Sequence, residues 1–129
     1  MKKYGAIGIL LMLLVCLGCF FLLSGKNEVS VPFQKRFNEK YYVKKYCRGQ
    51  IEYVLPDRTR VDCLTSEYAV EFDRAKKWAE AVGQSLYYSK MTGKKPAVAL
   101  ILNDPKDKKF VKRIKIADEG ITVFEIYSE

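Results

Sequence analysis

Residues 60–89, RVDCLTSEYAVEFDRAKKWAEAVGQSLYYS, decide how the chain is read. They hold two strand-length runs, Arg60–Leu64 and Tyr68–Asp73, divided by a Thr65-Ser66 break and followed by a stretch rich in Ala, Lys, Glu and Gln. Period-two alternation places Arg60, Asp62 and Leu64 on one face of the first strand, and Ala69, Glu71 and Asp73 on one face of the second. Paired through their short connection, the strands set Asp62 across from Glu71 and gather two or three carboxylates. Like charges so placed raise one another's pKa unless a cation sits among them, and a divalent metal is the natural cation.

The stretch that follows, residues 74–91, carries Trp78, Val82 and Leu86 in helical register, with Trp78 a core residue. At about 100° per residue Lys77 and Gln84 nearly eclipse, so Asp73, Lys77, Gln84 and Tyr88 form one stripe leading back to the carboxylates. A lysine there can orient or deprotonate a water and hold negative charge on a phosphate. Plainer roles stand beside these. Asp73 suits the N-cap of the helix, Gln84 and Tyr88 suit its polar edge, and Lys77 suits a solvated position. Glu71, between Val70 and Phe72, resists such a reading, because a half-buried carboxylate without a partner is costly.

Working outward, Phe33, Phe37 and Tyr41 space one apolar face on a helix over residues 33–46, which Gly49 ends. Ile51–Leu55 reads as a strand running into the turn Pro56-Asp57-Arg58-Thr59. Downstream, Thr92–Pro96 closes the long helix and Ala97–Leu102 is a continuous apolar run of the kind that fills a central strand. Lys106–Lys115 carries Phe110, Val111 and Ile114 in helical spacing, and Ile121–Tyr127 is a last strand. The order α-β-β-β-α-β-α-β predicts one α/β domain over residues 33–129, after a linker over 26–32.

Residues 5–24, GAIGILLMLLVCLGCFFLLS, carry no charge and follow Lys2 and Lys3. Twenty residues make about 30 Å of helix, the thickness of a bilayer core, so an uncleaved single-span anchor within residues 1–25 is the first expectation. A cleaved export signal and a lipoprotein signal at Cys19 fit less well, because Phe20–Leu23 prolong the apolar run past any cleavage point. Basic residues flank both ends, so membrane orientation stays open between an inward domain and one exported to the periplasm of a bacterium. Cys47 and Cys63 are correspondingly a disulfide outside or thiols inside.

Composition narrows the chemistry. The 129 residues include no histidine, which excludes Ser-His-Asp and Cys-His nucleophile systems, HExxH peptidases and imidazole-based nucleases. Four cysteines, two of them in the apolar segment, make a cysteine-only zinc site a poor reading. Catalysis would run on carboxylates, lysine, tyrosine or an oxygen-ligated metal. The formal net charge is +8, and Lys2 and Lys3 belong to the opening segment, so the rest of the chain still draws polyanions.

Asp62, then Glu71-Phe72-Asp73, then a helix with Gln84-Ser85-Leu86-Tyr87-Tyr88, resembles the PD-(D/E)XK nuclease superfamily. Gln84 and Tyr88 are similar to the QxxxY motif of its RecB-like branch, and residues 55–89 resemble small bacterial and phage-associated proteins with this nuclease core. The resemblance spans residues 33–102. It implies a restriction-endonuclease-like α-β-β-β-α-β core, here followed by a C-terminal α-β, and hydrolysis of DNA phosphodiester bonds with Mg²⁺ or Mn²⁺. It makes Asp62 and Glu71 metal ligands, with Asp73 and Glu52 as further candidates and Glu39 a weaker one. Where the superfamily carries lysine two positions after the acidic residue, this chain has Asp73; Lys77 is the displaced lysine, and Gln84 and Tyr88 position the phosphate or strand. Lys76, Lys94, Lys95 and Lys106–Lys115 are expected to hold the DNA backbone without base preference. The alternative is a non-catalytic envelope protein on the same fold that binds nucleic acid, lipid headgroups or a protein partner.

Overall fold

A computed structural model describes residues 37–129. The order is α1 (Glu39–Tyr46), β1 (Gln50–Val54), β2 (Arg60–Leu64), β3 (Tyr68–Arg74), α2 (Trp78–Thr92), β4 (Lys95–Leu102), α3 (Lys108–Ala117) and β5 (Thr122–Tyr127). The strands form one mixed sheet in sequence order. β1, β2 and β3 are antiparallel neighbours joined by short turns, whereas β3, β4 and β5 run parallel through α2 and α3. The chain is thus an α/β domain with the element order expected. The apolar segment 5–24 lies outside the described residues, and no helix among those described is long and apolar enough to cross a membrane.

β4 sits in the middle because its run from Ala97 to Leu102 can be buried from both sides. Ala97, Ala99 and Ile101 pack with Tyr42 and Val43 of α1, while Val98, Leu100 and Leu102 pack with Ala81 of α2 and Ile114 of α3. Alternation along one strand thereby assigns α1 to one face of the sheet and α2 with α3 to the other.

Several boundaries differ from expectation, each for a local reason. Phe37 is not helical, and Asn38 starts α1 by accepting the Tyr41 N–H on its side chain; residues 33–36 lie outside the described part. Cys47, not Gly49, caps the far end of α1. Gly49 answers a steric need instead: a Cβ there would stand 2.1 Å from the Leu64 carbonyl oxygen, beside the Gln50–Leu64 pair that opens the β1–β2 ladder. Gly49→Ala must force backbone from backbone, so a loss of about 1–3 kcal/mol is expected in urea unfolding. An unchanged midpoint would show that the contact is not rigid.

The long helix begins later than alternation suggests. β3 continues through Arg74, a 3₁₀ turn covers Ala75–Lys77, and α2 starts at Trp78. Gly93 ends it in the left-handed region at φ 68°, a conformation glycine adopts without a Cβ penalty. A 3₁₀ turn over Pro105–Asp107 likewise precedes α3, with Asp104 as its cap.

Candidate active site

The site begins where the sheet fails to close. β2 and β3 pair at Cys63–Val70 and Leu64–Ala69; one step on, Asp62 comes level with Glu71 and the ladder stops. There Asp62 Oδ2 accepts the Phe72 N–H at 2.9 Å, replacing a strand carbonyl as partner. On the other side β1 pairs with β2 at residues 51 and 53 but not at Glu52, whose φ of 54° is left-handed. A non-glycine residue held there costs about 1–3 kcal/mol and persists only when its surroundings demand it. Alternation also breaks at this point. Val61 joins Leu55, Ala69 and Tyr88, whereas Cys63, two residues on, joins the α1 face. Asp62 therefore stands in a gap between both neighbouring strands.

Glu71 and Asp73 follow on β3, 7% and 3% exposed. Oε2 of Glu71 is buried with no hydrogen-bond partner among the described residues. Burial first, then the charges of Asp62 and Asp73, push the Glu71 carboxyl up to about 9. Asp73 does not cap the helix, because it lies within β3 and the cap position of the 3₁₀ turn belongs to Arg74. Its Oδ1 accepts the Arg74 N–H at 2.8 Å and faces Lys77 Nζ at 3.7 Å. Burial raises Asp73 to about 6 despite both contacts. Asp62 is raised too, by burial, with the Phe72 N–H opposing.

Two adjoining cavities open over these carboxylates, of about 350 and 220 Å³. Glu52, Asp62, Glu71 and Gln84 line both. Tyr88 lines only the larger, and Asp73, Lys77 and Glu39 only the smaller. The residues singled out from the sequence are thus gathered around Glu71, but the stripe they were placed on is divided: the 3₁₀ turn puts Lys77 ahead of α2 proper, across the carboxylates from Tyr88. Tyr88 is 6% exposed, and its hydroxyl is raised by burial and then by Glu71 and Asp62. Lys77 is half exposed and raised, first by Asp73, so it stays an ammonium at neutral pH. Of the roles open to Lys77, this state suits donating hydrogen bonds and positive charge.

No protein-family model matches the chain, and no curated protein or solved structure is similar to it at a significant level. The chemistry must be read from the side chains alone. Arg58, Thr59 and Arg60 complete the larger cavity and carry no role in the sequence reading. The available signal was their position, two arginines at the turn that delivers Asp62. Arg60 faces Glu52 at 3.2 Å, whereas Arg58 has no carboxylate partner among the described residues.

All donors here are carboxylate, amide or hydroxyl oxygens, which suit Mg²⁺ or Mn²⁺ rather than softer metals. Among the described residues no group of three or more carboxylate or thiol side chains stands close enough to hold an ion unaided. Mg²⁺ does not require one, since it commonly keeps its waters and uses one or two carboxylates plus substrate phosphate. The unpartnered Glu71 oxygen beside Asp62 meets that smaller demand. Glu52 shares its carboxylate with Arg60, and Asp73 with Lys77, so both are secondary ligand candidates.

Proposed function

We propose that the chain is a Mg²⁺- or Mn²⁺-dependent nuclease of restriction-endonuclease-like, PD-(D/E)XK type, cleaving DNA phosphodiester bonds while tethered through residues 5–24 to a bacterial membrane. The observation that carries the reading is the buried, unpartnered oxygen of Glu71 next to Asp62, in a sheet opened at that point. An uncompensated buried carboxylate is costly unless it works.

In this mechanism Asp62 and Glu71 would hold the ion, with Asp62 fixed in place by the Phe72 amide. Bound there, Mg²⁺ or Mn²⁺ supplies Lewis acidity to a phosphoryl oxygen and lowers the pKa of its water. Lys77, oriented by Asp73, presents its ammonium to charge developing on the phosphate. Gln84 and Tyr88 contact the substrate from the α2 side, and Arg58 and Arg60 bind flanking backbone phosphates at the larger cavity.

Mn²⁺-dependent cleavage of a labelled DNA is expected to fall by about tenfold or more in both Asp62→Asn and Lys77→Ala. The Mn²⁺-induced rise in thermal midpoint should survive Lys77→Ala and vanish in Asp62→Asn. Unaltered cleavage in either variant removes that residue from the mechanism. A second reading, a non-catalytic binding protein on the same fold, draws on Asp73 standing where the superfamily carries lysine. It predicts DNA retention without cleavage and no Mn²⁺ shift.

A further inference from the structure

The segment after β4 is densely basic, with Lys106, Lys108, Lys109, Lys112, Arg113 and Lys115 close together in sequence. Some cations of the domain face acids, as Lys45 does Glu129, Arg74 Glu39 and Lys95 Glu67, and within the segment itself Lys108 faces Glu125. Lys106, Lys109, Lys112 and Arg113 have no carboxylate partner among the described residues. The two acids nearest in sequence are occupied by backbone. Asp104 Oδ1 accepts the Lys106 N–H at 2.7 Å, and Asp107 Oδ2 accepts the N–H groups of Asn103 and Asp104 at 3.0 and 3.2 Å. Both acids are thus engaged in capping the 3₁₀ turn and leave those four cations unneutralised.

That charge is interleaved with rings. The Arg113 guanidinium lies 5.8 Å from the Trp78 ring centroid and 5.2 Å from that of Phe110, and Lys109 Nζ lies 5.1 Å from Phe110. Both rings are half-buried against the core, so the plane they offer Arg113 is fixed. Lys109, Lys112, Arg113 and Ile116 recur at three- and four-residue spacing and share one face of α3, with Ile116 84% exposed. Trp78 directly follows Lys77, which lines the smaller cavity.

We propose that this face binds a single nucleic-acid strand, a base stacking on Arg113 where Trp78 and Phe110 back it, with Lys109 and Lys112 on phosphates. Delivery of that strand to the Asp73–Lys77 cavity rests on the nuclease reading; the binding does not. A guanidinium plane backed by aromatic rings recognises the face of a base, which a duplex hides in its stack. A lipid surface fits worse. α3 already spends its apolar side, Phe110, Val111 and Ile114, on the core, leaving Ile116 as its one strongly exposed large apolar side chain, whereas an interfacial helix needs a whole apolar face.

Anisotropy of a fluorescent oligothymidylate, with the full chain in mild detergent and EDTA, tests the binding without requiring cleavage. The single strand is expected to bind more tightly than the same strand annealed to oligoadenylate. Arg113→Lys keeps the charge and loses the plane, so affinity should fall about tenfold at every salt concentration. Lys112→Gln should instead reduce the slope of log affinity against log salt by about 0.7, and Lys90→Gln on α2 should change neither. Equal binding of duplex, or wild-type affinity in Arg113→Lys, overturns the proposal. So does protection of α3 amides by anionic-lipid discs but not by the oligonucleotide in hydrogen exchange. Binding as described with no Mn²⁺-dependent cleavage sustains this proposal and removes the nuclease reading alone.

Discussion

Glu71→Gln is expected to make the metal-free protein more stable at pH 8 while abolishing Mn²⁺-dependent cleavage, a combination that separates a working carboxylate from a structural one. The sign follows from linkage. The unfolded chain gives up the Glu71 proton near 4.5 and the folded chain only near 9, so across that window the folded state binds more protons. The favourable contribution is therefore complete below about 4.5 and is lost as pH rises towards 9. Glutamine cannot ionise and lacks this slope. It also keeps the size of the side chain and can donate a hydrogen bond to Asp62.

Asp73, raised to about 6 from 3.8, adds a slope of the same sign at lower pH and retains it in the variant. The Asp73 slope cancels between the two proteins, which should therefore agree near pH 4 and diverge steadily from just above 4.5 towards 9. By pH 8 the difference is of order a few kcal/mol, and about 4–8 °C in thermal midpoint follows from each kcal/mol in a domain of this size. Saturating Mn²⁺ should reverse the order by stabilising only wild type, because a ligand that binds the folded state alone adds to its stability by mass action. Parallel pH profiles for the two proteins, with or without Mn²⁺, would mean that Glu71 meets a cation or donor in solution without using it for metal.

The contrast between what alternation reveals and what it hides runs through this site. Strand β4 was legible because Ala97 to Leu102 is apolar without a break, and only a doubly covered strand tolerates that. β3 was legible because Val70 and Phe72 alternate with Glu71 and Asp73, so the acids had to share a face. Asp62 was placed on the right side, but the opening around it was not legible. Period-two reasoning assumes a continuous ladder, whereas here a side-chain carboxylate takes the Phe72 amide and Glu52 turns left-handed. The division of the Asp73–Lys77–Gln84–Tyr88 stripe has a similar origin. Projection at 100° per residue presumes one helix from residue 74, and the 3₁₀ turn over Ala75–Lys77 advances the chain by more per residue. Arg58 and Arg60 escaped notice because arginines at a turn are ordinary; only the cavity makes them neighbours of Glu71.

Reduction of the Cys47–Cys63 disulfide should carry the next largest effect, a loss of about 3 kcal/mol in unfolding free energy for a loop of this length. The sequence left these cysteines open between bond and thiols; the structure joins them. α1 has only eight residues, too few to be stable alone, so it depends on what pins it. At its N-terminal side Arg74 reaches the Phe37 carbonyl and faces Glu39; near its C-terminal end Lys45 meets Glu129. Those contacts are exposed or half-exposed and are worth little singly. Tyr42 and Val43 are the buried anchors, and the disulfide ties Cys47, the residue just beyond the end of α1, to Cys63, next in sequence to Asp62. Breaking the bond should therefore loosen α1 and, through Glu39 and the β2 gap, weaken Mn²⁺ binding as well as stability. Urea unfolding with and without reductant reads the first effect, and a Mn²⁺ thermal-shift titration on the reduced chain reads the second. If mass spectrometry shows both thiols free while the urea midpoint is unchanged, Tyr42 and Val43 hold α1 without help. If the midpoint falls but Mn²⁺ affinity does not, the carboxylate gap is maintained by the sheet alone.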